Sequence, residues 1–139
     1  MDATSRTMQL TDKLEIAFVE ATPDRVVATM PVPGNTQPYG ILHGGATCSL
    51  VESVASLGAA LAAGIEDHIV MGIQQTTSFI GAIREGTVRG VGTPLHKGRT
   101  TQVWDVDVTS VETGKRVASG RVTLAVRPRP VGTPPGEHG

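Results

Sequence analysis

Apolar and polar positions alternate along most of the chain in short runs, set around one long apolar segment. Leu14 to Glu20 and Arg25 to Val32 read as two strands, separated by the turn signal Ala-Thr-Pro-Asp. In the second, Val26, Ala28 and Met30 fall on one face. A loop rich in Gly, Pro and Asn runs from Pro33 to Leu42. The segment from Gly44 to Gly64 is too long for a strand and closes on glycine, a common helix stop. It predicts a helix over 44–63. Afterwards β-branched residues dominate, and Ile69 to Ile83, Thr87 to Pro94, Thr100 to Thr109 and Arg116 to Val126 predict four more strands. Glu112-Thr-Gly-Lys115 is a hairpin turn between the last two. In the strand over 100–109, Val103, Asp105 and Asp107 point one way while Trp104, Val106 and Val108 point the other. That is the pattern of an antiparallel sheet with one buried face.

A helix this apolar has to be covered. The economical solution for two strands, a helix and four strands is an α+β domain in which one antiparallel sheet wraps around one long central helix. Leu50, Val54, Leu57 and Leu61 form a stripe expected to face the sheet. The other side carries Gly45, Cys48, Ser49, Glu52, Ser56, Ala59 and Ala63. A solvated face would be rich in Lys, Glu and Arg, whereas this one is small residues and a single carboxylate. Small residues let another backbone approach closely, so a second copy of the chain is expected here, as a dimer or a dimer of dimers.

The 139 residues suit one domain with a real core. Its expected bounds are 12–127, after a mobile start over 1–11 and before a Pro- and Gly-rich, disordered tail over 128–139. A net charge of −1 with interspersed signs argues against nucleic acid as a partner. The run Gly44 to Gly64 approaches the length of a membrane span, but it is mostly Ala, Gly and Ser and holds Glu52, so it reads as a core helix with no membrane partner. Met1 to Leu10 is polar and lacks a leader's apolar stretch, and the lone Cys48 fits a reducing compartment; a cytoplasmic protein is expected. His43, His68, His96 and His138 lack ligand spacing, and neither a P-loop nor a Ser-centred nucleophile elbow is present. No metal or other cofactor is expected.

Two features carry chemistry. Glu52 is the only charged residue between Gly44 and Gly64. An unpaired carboxylate on such a face is costly, and such acids concentrate at functional sites. Ser56, four residues on, can set its hydroxyl beside it. The second feature is Gln37-Pro-Tyr-Gly-Ile-Leu-His-Gly-Gly45, which leads into the helix N-terminus. Free N–H groups and the positive end of the dipole make that terminus a seat for an oxyanion. Gln37 offers a further side-chain N–H, and His43 either donates a hydrogen bond or locks the loop. Gly44 and Glu52 lie eight residues apart, roughly 12 Å along a helix at 1.5 Å per residue. They do not readily serve one carbonyl within one chain, whereas antiparallel helices of a dimer bring one chain's Gly44 to the other's Glu52.

The pattern Gln37-x5-His43-Gly-Gly-x6-Glu52-Ser-x2-Ser56 resembles the hotdog-fold acyl-CoA thioesterases of the phenylacetyl-CoA and 4-hydroxybenzoyl-CoA type. It is most similar to the bacterial branch acting on aryl-acyl carriers and 1,4-dihydroxy-2-naphthoyl-CoA. The stretch Val88 to Arg99, followed by Gln102-Val-Trp104, resembles the same branch, and the likeness covers roughly Pro31 to Val126. The resemblance implies thioester hydrolysis with coenzyme A as part of the substrate and no separate cofactor. Glu52 would be nucleophile or general base and the Gly44 amide the carbonyl donor. Gln37 and His43 would lie near that carbonyl, and Ser56 would hold Glu52 or water. Ser78 falls where some relatives carry a His near the acyl group, which leaves the acyl preference open. Arg84, His96, Lys97 and Arg99 are candidates for the coenzyme A phosphates. Two other readings stay in view: a hotdog hydratase or dehydratase, and a non-catalytic acyl-CoA-binding module. The His43-Gly-Gly motif and the retained Glu52 favour the thioesterase.

Overall fold

A computed structural model describes residues 8–130, and the expectations for 1–7 and 131–139 lie outside them. The elements are α1 (Gln9–Lys13), β1 (Ala17–Thr22), β2 (Arg25–Pro31), α2 (Gly44–Ala63), β3 (His68–Phe79), β4 (Thr87–Lys97), β5 (Thr101–Ser110) and β6 (Arg116–Pro128). The six strands form one sheet in the order β1-β2-β4-β5-β6-β3. Every neighbouring pair is antiparallel. The helix α2 touches all six strands. By length and composition alone it would also pass for a membrane span. Its apolar character is that of the helix around which this sheet curves.

Helix α2 runs from 44 to 63, as its sequence predicts. It stops at Gly64, whose φ of 94° is left-handed and whose N–H closes on the Ala60 carbonyl. The alternation in β5 is also as expected, with Gln102, Trp104, Val106 and Val108 buried. The hairpin 112–115 closes through Gly114 at φ 73° and a bond from the Ser110 N–H to the Lys115 carbonyl of 2.8 Å.

Three expectations are corrected. The first strand starts at Ala17, because Leu14 to Ile16 form a turn after α1 with Glu15 at φ 57°. The strand expected over 69–83 ends at Phe79, where the Ile80 and Gly81 N–H groups both turn onto the Val117 carbonyl at 2.8 and 3.1 Å. The buried side of α2 is Ala46, Thr47, Leu50, Val51, Val54, Ala55, Gly58 and Ala59. Leu57 and Leu61 are only half-buried, while Ala59, assigned to the opposite side by its small size, is fully buried.

That rotation follows from close packing. The indole of Trp104 lies where a Cβ at Gly58 would be, 2.4 Å from its nearest atom, and Val54 stands 2.5 Å from a Cβ built at Gly92. Helix and sheet therefore meet through glycines, and the largest core side chain fills the space opposite the smallest helix residue. A buried polar link fixes this contact. The Trp104 indole N–H donates to Gln102 Oε1 at 2.8 Å, and Gln102 Nε2 donates to the Ala59 carbonyl at 3.0 Å. Gln102→Leu keeps the volume but strips both bonds, leaving a buried indole N–H unpaired. It should lower stability by about 1–3 kcal/mol, read as an earlier denaturation midpoint at fixed protein concentration.

Candidate active site

The N-terminus of α2 is built by its loop. His43, extended at φ −67° and ψ 131°, is the helix cap, and its Nδ1 accepts the Gly45 N–H at 2.7 Å. Accepting at Nδ1 puts the ring proton of a neutral imidazole on Nε2. The His43 N–H in turn donates to the Asn35 carbonyl at 2.9 Å, pinning the loop to the helix start. The Gly44 N–H has no partner among the described residues. It opens on a cavity of about 340 Å³ lined by Gln37, Ile41, Thr47, Phe79 and Ile83 among others. Gln37 accepts the Tyr39 N–H at its Oε1, and its NH2 has no partner among the described residues. Gly44 and Gln37 thus present two N–H donors to one cavity, next to the Phe79 ring, 3.1 Å from a Cβ built at Gly44.

Glu52 lies two turns further along. It is half-buried and borders a different depression, about 280 Å³, with Leu10, Cys48, Ser49, Ser53 and Gln75. Ser56 Oγ donates to Glu52 Oε2 at 3.1 Å, as the i to i+4 spacing predicts. The hydroxyls of Ser49 and Ser53 instead bond back to their own helix, at 2.9 Å to the Gly45 carbonyl and 2.7 Å to the Ser49 carbonyl. Ser56 alone of these three serines serves the carboxylate. Across the helix, Gln75 Nε2 donates to the Cys48 carbonyl at 3.2 Å and ties β3 to this turn of α2.

The structure brings together Gly44, Gln37 and His43 at one end of α2, and Glu52 with Ser56 at its middle. It does not unite the cationic candidates. Arg84 precedes β4 and donates to the Tyr39 carbonyl at 3.0 Å. His96, Lys97 and Arg99 stand at the far end of β4, a strand of 11 residues and so roughly 35 Å long. Lys97 is ion-paired with Asp24 at 2.6 Å, whereas His96 and Arg99 are exposed. Ser78 is exposed on β3, paired with Ser119.

Sequence reasoning overlooked Gly72. A glycine inside a strand signals a bulge or a close approach, and both occur here. The β3–β6 register shifts between Gly72 and Gln74, and the Glu52 carboxylate packs against Gly72.

Known proteins share this chain's sequence pattern and fold. Residues 39–117 match the family model described as the Thioesterase superfamily, a span that holds every candidate residue except Gln37. The 1,4-dihydroxy-2-naphthoyl-CoA hydrolase of Escherichia coli (strain K12) is 40% identical over 114 residues, covering 81% of this chain and 82% of that one. The proofreading thioesterase EntH of Cronobacter turicensis is 37% identical over 118 residues, covering 84% and 85%. A solved structure of a mutant thioesterase from Pseudomonas aeruginosa superposes with a TM-score of 0.84 at 31% identity, over 90% of this chain and 91% of that one. The helix-in-sheet architecture is therefore the hotdog fold of thioester hydrolases. The chain belongs to the thioesterase superfamily, and it is a thioester hydrolase.

Proposed function

We propose that the protein hydrolyses acyl-CoA thioesters with an aryl or medium-length acyl group, at a site shared between two copies of the chain. The observation that carries this reading is the division of the chemistry along α2. N–H donors without a partner among the described residues border one cavity and the Glu52 carboxylate borders another, separated by roughly 12 Å of helix. Neither half is sufficient for acyl transfer, and antiparallel packing of two such helices unites one copy's Gly44 with the other's Glu52. Strand β3 supports the same pairing. It is an edge strand of 12 residues with Met71, Ile73 and Phe79 exposed along it, an edge that is a liability unless covered. Sedimentation or light scattering should give a dimer or a dimer of dimers; an active monomer would refute the shared site.

In the proposed reaction the thioester carbonyl oxygen receives the Gly44 N–H, with the Gln37 amide beside it. As the carbonyl carbon becomes tetrahedral, the oxygen gains negative charge, which these donors stabilise without reorganisation. Glu52 either attacks that carbon or takes a proton from a water that does. In the first route an acyl–Glu52 anhydride forms, the C–S bond breaks, and water then hydrolyses the anhydride. In the second the tetrahedral adduct collapses directly, and the departing thiolate takes the proton that Glu52 removed. Both routes need the carboxylate ionised, and the Ser56 hydroxyl donates to that form. The aryl preference draws support from the Escherichia coli relative, named for an aryl-acyl-CoA substrate. The coenzyme end of the substrate is assigned to Arg84 from one copy and to Arg99 or His96 from the other, because these groups stand at opposite ends of β4. Lys97, paired with Asp24, is the weaker candidate.

Two variants test the chemistry. Glu52→Gln keeps size and packing, so fold and assembly should survive while turnover of benzoyl-CoA or a medium-chain acyl-CoA falls at least about 1000-fold, on the order of 4 kcal/mol of transition-state stabilisation. The variant should still bind acyl-CoA. Thiol release near the parent rate would reject Glu52 and favour a binding module. Gly44→Pro removes the donor without breaking the helix. Proline suits the first helical position, and the extended His43 before it has the backbone that precedes proline. A loss of about 100-fold or more in turnover is expected, with unchanged helix content by circular dichroism. Near-parent turnover would show that the carbonyl binds elsewhere.

A further inference from the structure

Gly72 lies in β3 opposite Leu124 of β6. Its backbone is outside the left-handed region, unlike Gly34, Gly40, Gly64, Gly86 and Gly114, so conformational freedom does not explain a glycine there. Space does. A Cβ at Gly72 would stand 2.3 Å from Glu52 Oε2 and 2.7 Å from Oε1. The carboxylate therefore occupies the volume that any other residue's side chain would fill. The adjoining bulge sharpens this. Gly72 pairs with Leu124 and Gln74 with Thr123, so Ile73 is an extra residue in β3. Before it the buried Val70 and then Gly72 face α2. After it Gln75 reaches the Cys48 carbonyl and Thr77 lies beside Gly120, where Val51 also packs. Position 72 is thus the last helix-facing position before the strand changes phase, directly beneath Glu52.

We propose that Gly72 is a positioning residue for the reaction. Its missing side chain is the seat that holds the Glu52 carboxylate, with Ser56 Oγ donating to Oε2. Any larger residue moves the carboxylate off that seat, and misplacing a reacting group by about 1 Å is enough to cost on the order of 100-fold in rate. This inference rests on the catalytic reading of Glu52. The atoms a Cβ would displace are the end of a flexible side chain, so the fold itself tolerates the change.

The test is a cycle of variants at 52 and 72, assayed for kcat and KM with benzoyl-CoA and for thermal midpoint. Gly72→Ala should lower kcat about 10- to 100-fold while KM stays within about twofold, since binding made alike in ground and transition states is untouched. In a Glu52→Gln background the same change should leave the residual rate unaltered, because the group it misplaces is already inert. A purely structural role would lower both rates equally. If Gly72→Ala proves poorly stable, Glu52→Ala in the same chain should restore the midpoint by emptying the contested volume; a persistent loss there overturns the proposal. A parent-like kcat for Gly72→Ala beside an inactive Glu52→Gln overturns this inference alone. A parent-like Glu52→Gln overturns the catalytic reading instead, and the inference with it.

Discussion

The closeness with which α2 lies against the sheet governs the rest of the molecule. Trp104 packs where Gly58 has no side chain, and Val54 packs where Gly92 has none. These contacts fix how far the helix sits from the strands and how it is rotated about its own axis. Interiors are packed as densely as organic crystals, so the rotation is not adjustable. It buries Leu50, Val51, Val54, Ala55 and Ala59, and it leaves Cys48, Ser49, Glu52 and Ser56 half-buried on the far flank. The same seating carries Glu52 across to β3 and directs the helix N-terminus at the cavity beside Phe79.

The candidate groups are thereby distributed along a rigid rod. The Gly44 N–H belongs to the first turn and the Glu52 carboxylate to the third, and the helix holds these two at a set separation, while Gln37 stands on the loop before it. Loop residues contribute by fixing the start of that rod. His43 caps it, and its own backbone N–H is held by Asn35. At the other boundary, the Gln75 side chain clamps β3 to the Cys48 carbonyl one turn before Glu52. Gly44 and Glu52 therefore stand on a regular element, where positions are set more sharply than on loops.

Much of this was legible in the residues. The bounds of α2, the alternation in β5, the turn at Gly114 and the pairing of Ser56 with Glu52 all follow from period and spacing. What escaped did so for identifiable reasons. The stripe read from large residues included Leu61 and left out Ala59, because size marks what is apolar but not what must be small to admit an indole. The alternation in β3 could not be followed past Ile73, since one inserted residue exchanges the two faces of a strand. Gly72 looked like any strand glycine until the carboxylate beside it was located. The four cationic candidates formed one group on paper, yet a strand of 11 residues separates Arg84 from the others, and Lys97 is paired with Asp24. Pairing across such sequence distances leaves no trace in local pattern.

Trp104 is the chain's single tryptophan, fully buried, with its ring edge at the helix and its N–H on Gln102. The contact that seats the helix is therefore also the molecule's only indole chromophore. Its emission reports whether α2 is docked, without any added label. A species that keeps its strands but releases the helix would redden in fluorescence while its far-ultraviolet strand signal persists, so the two halves of the fold can be watched apart in one cuvette.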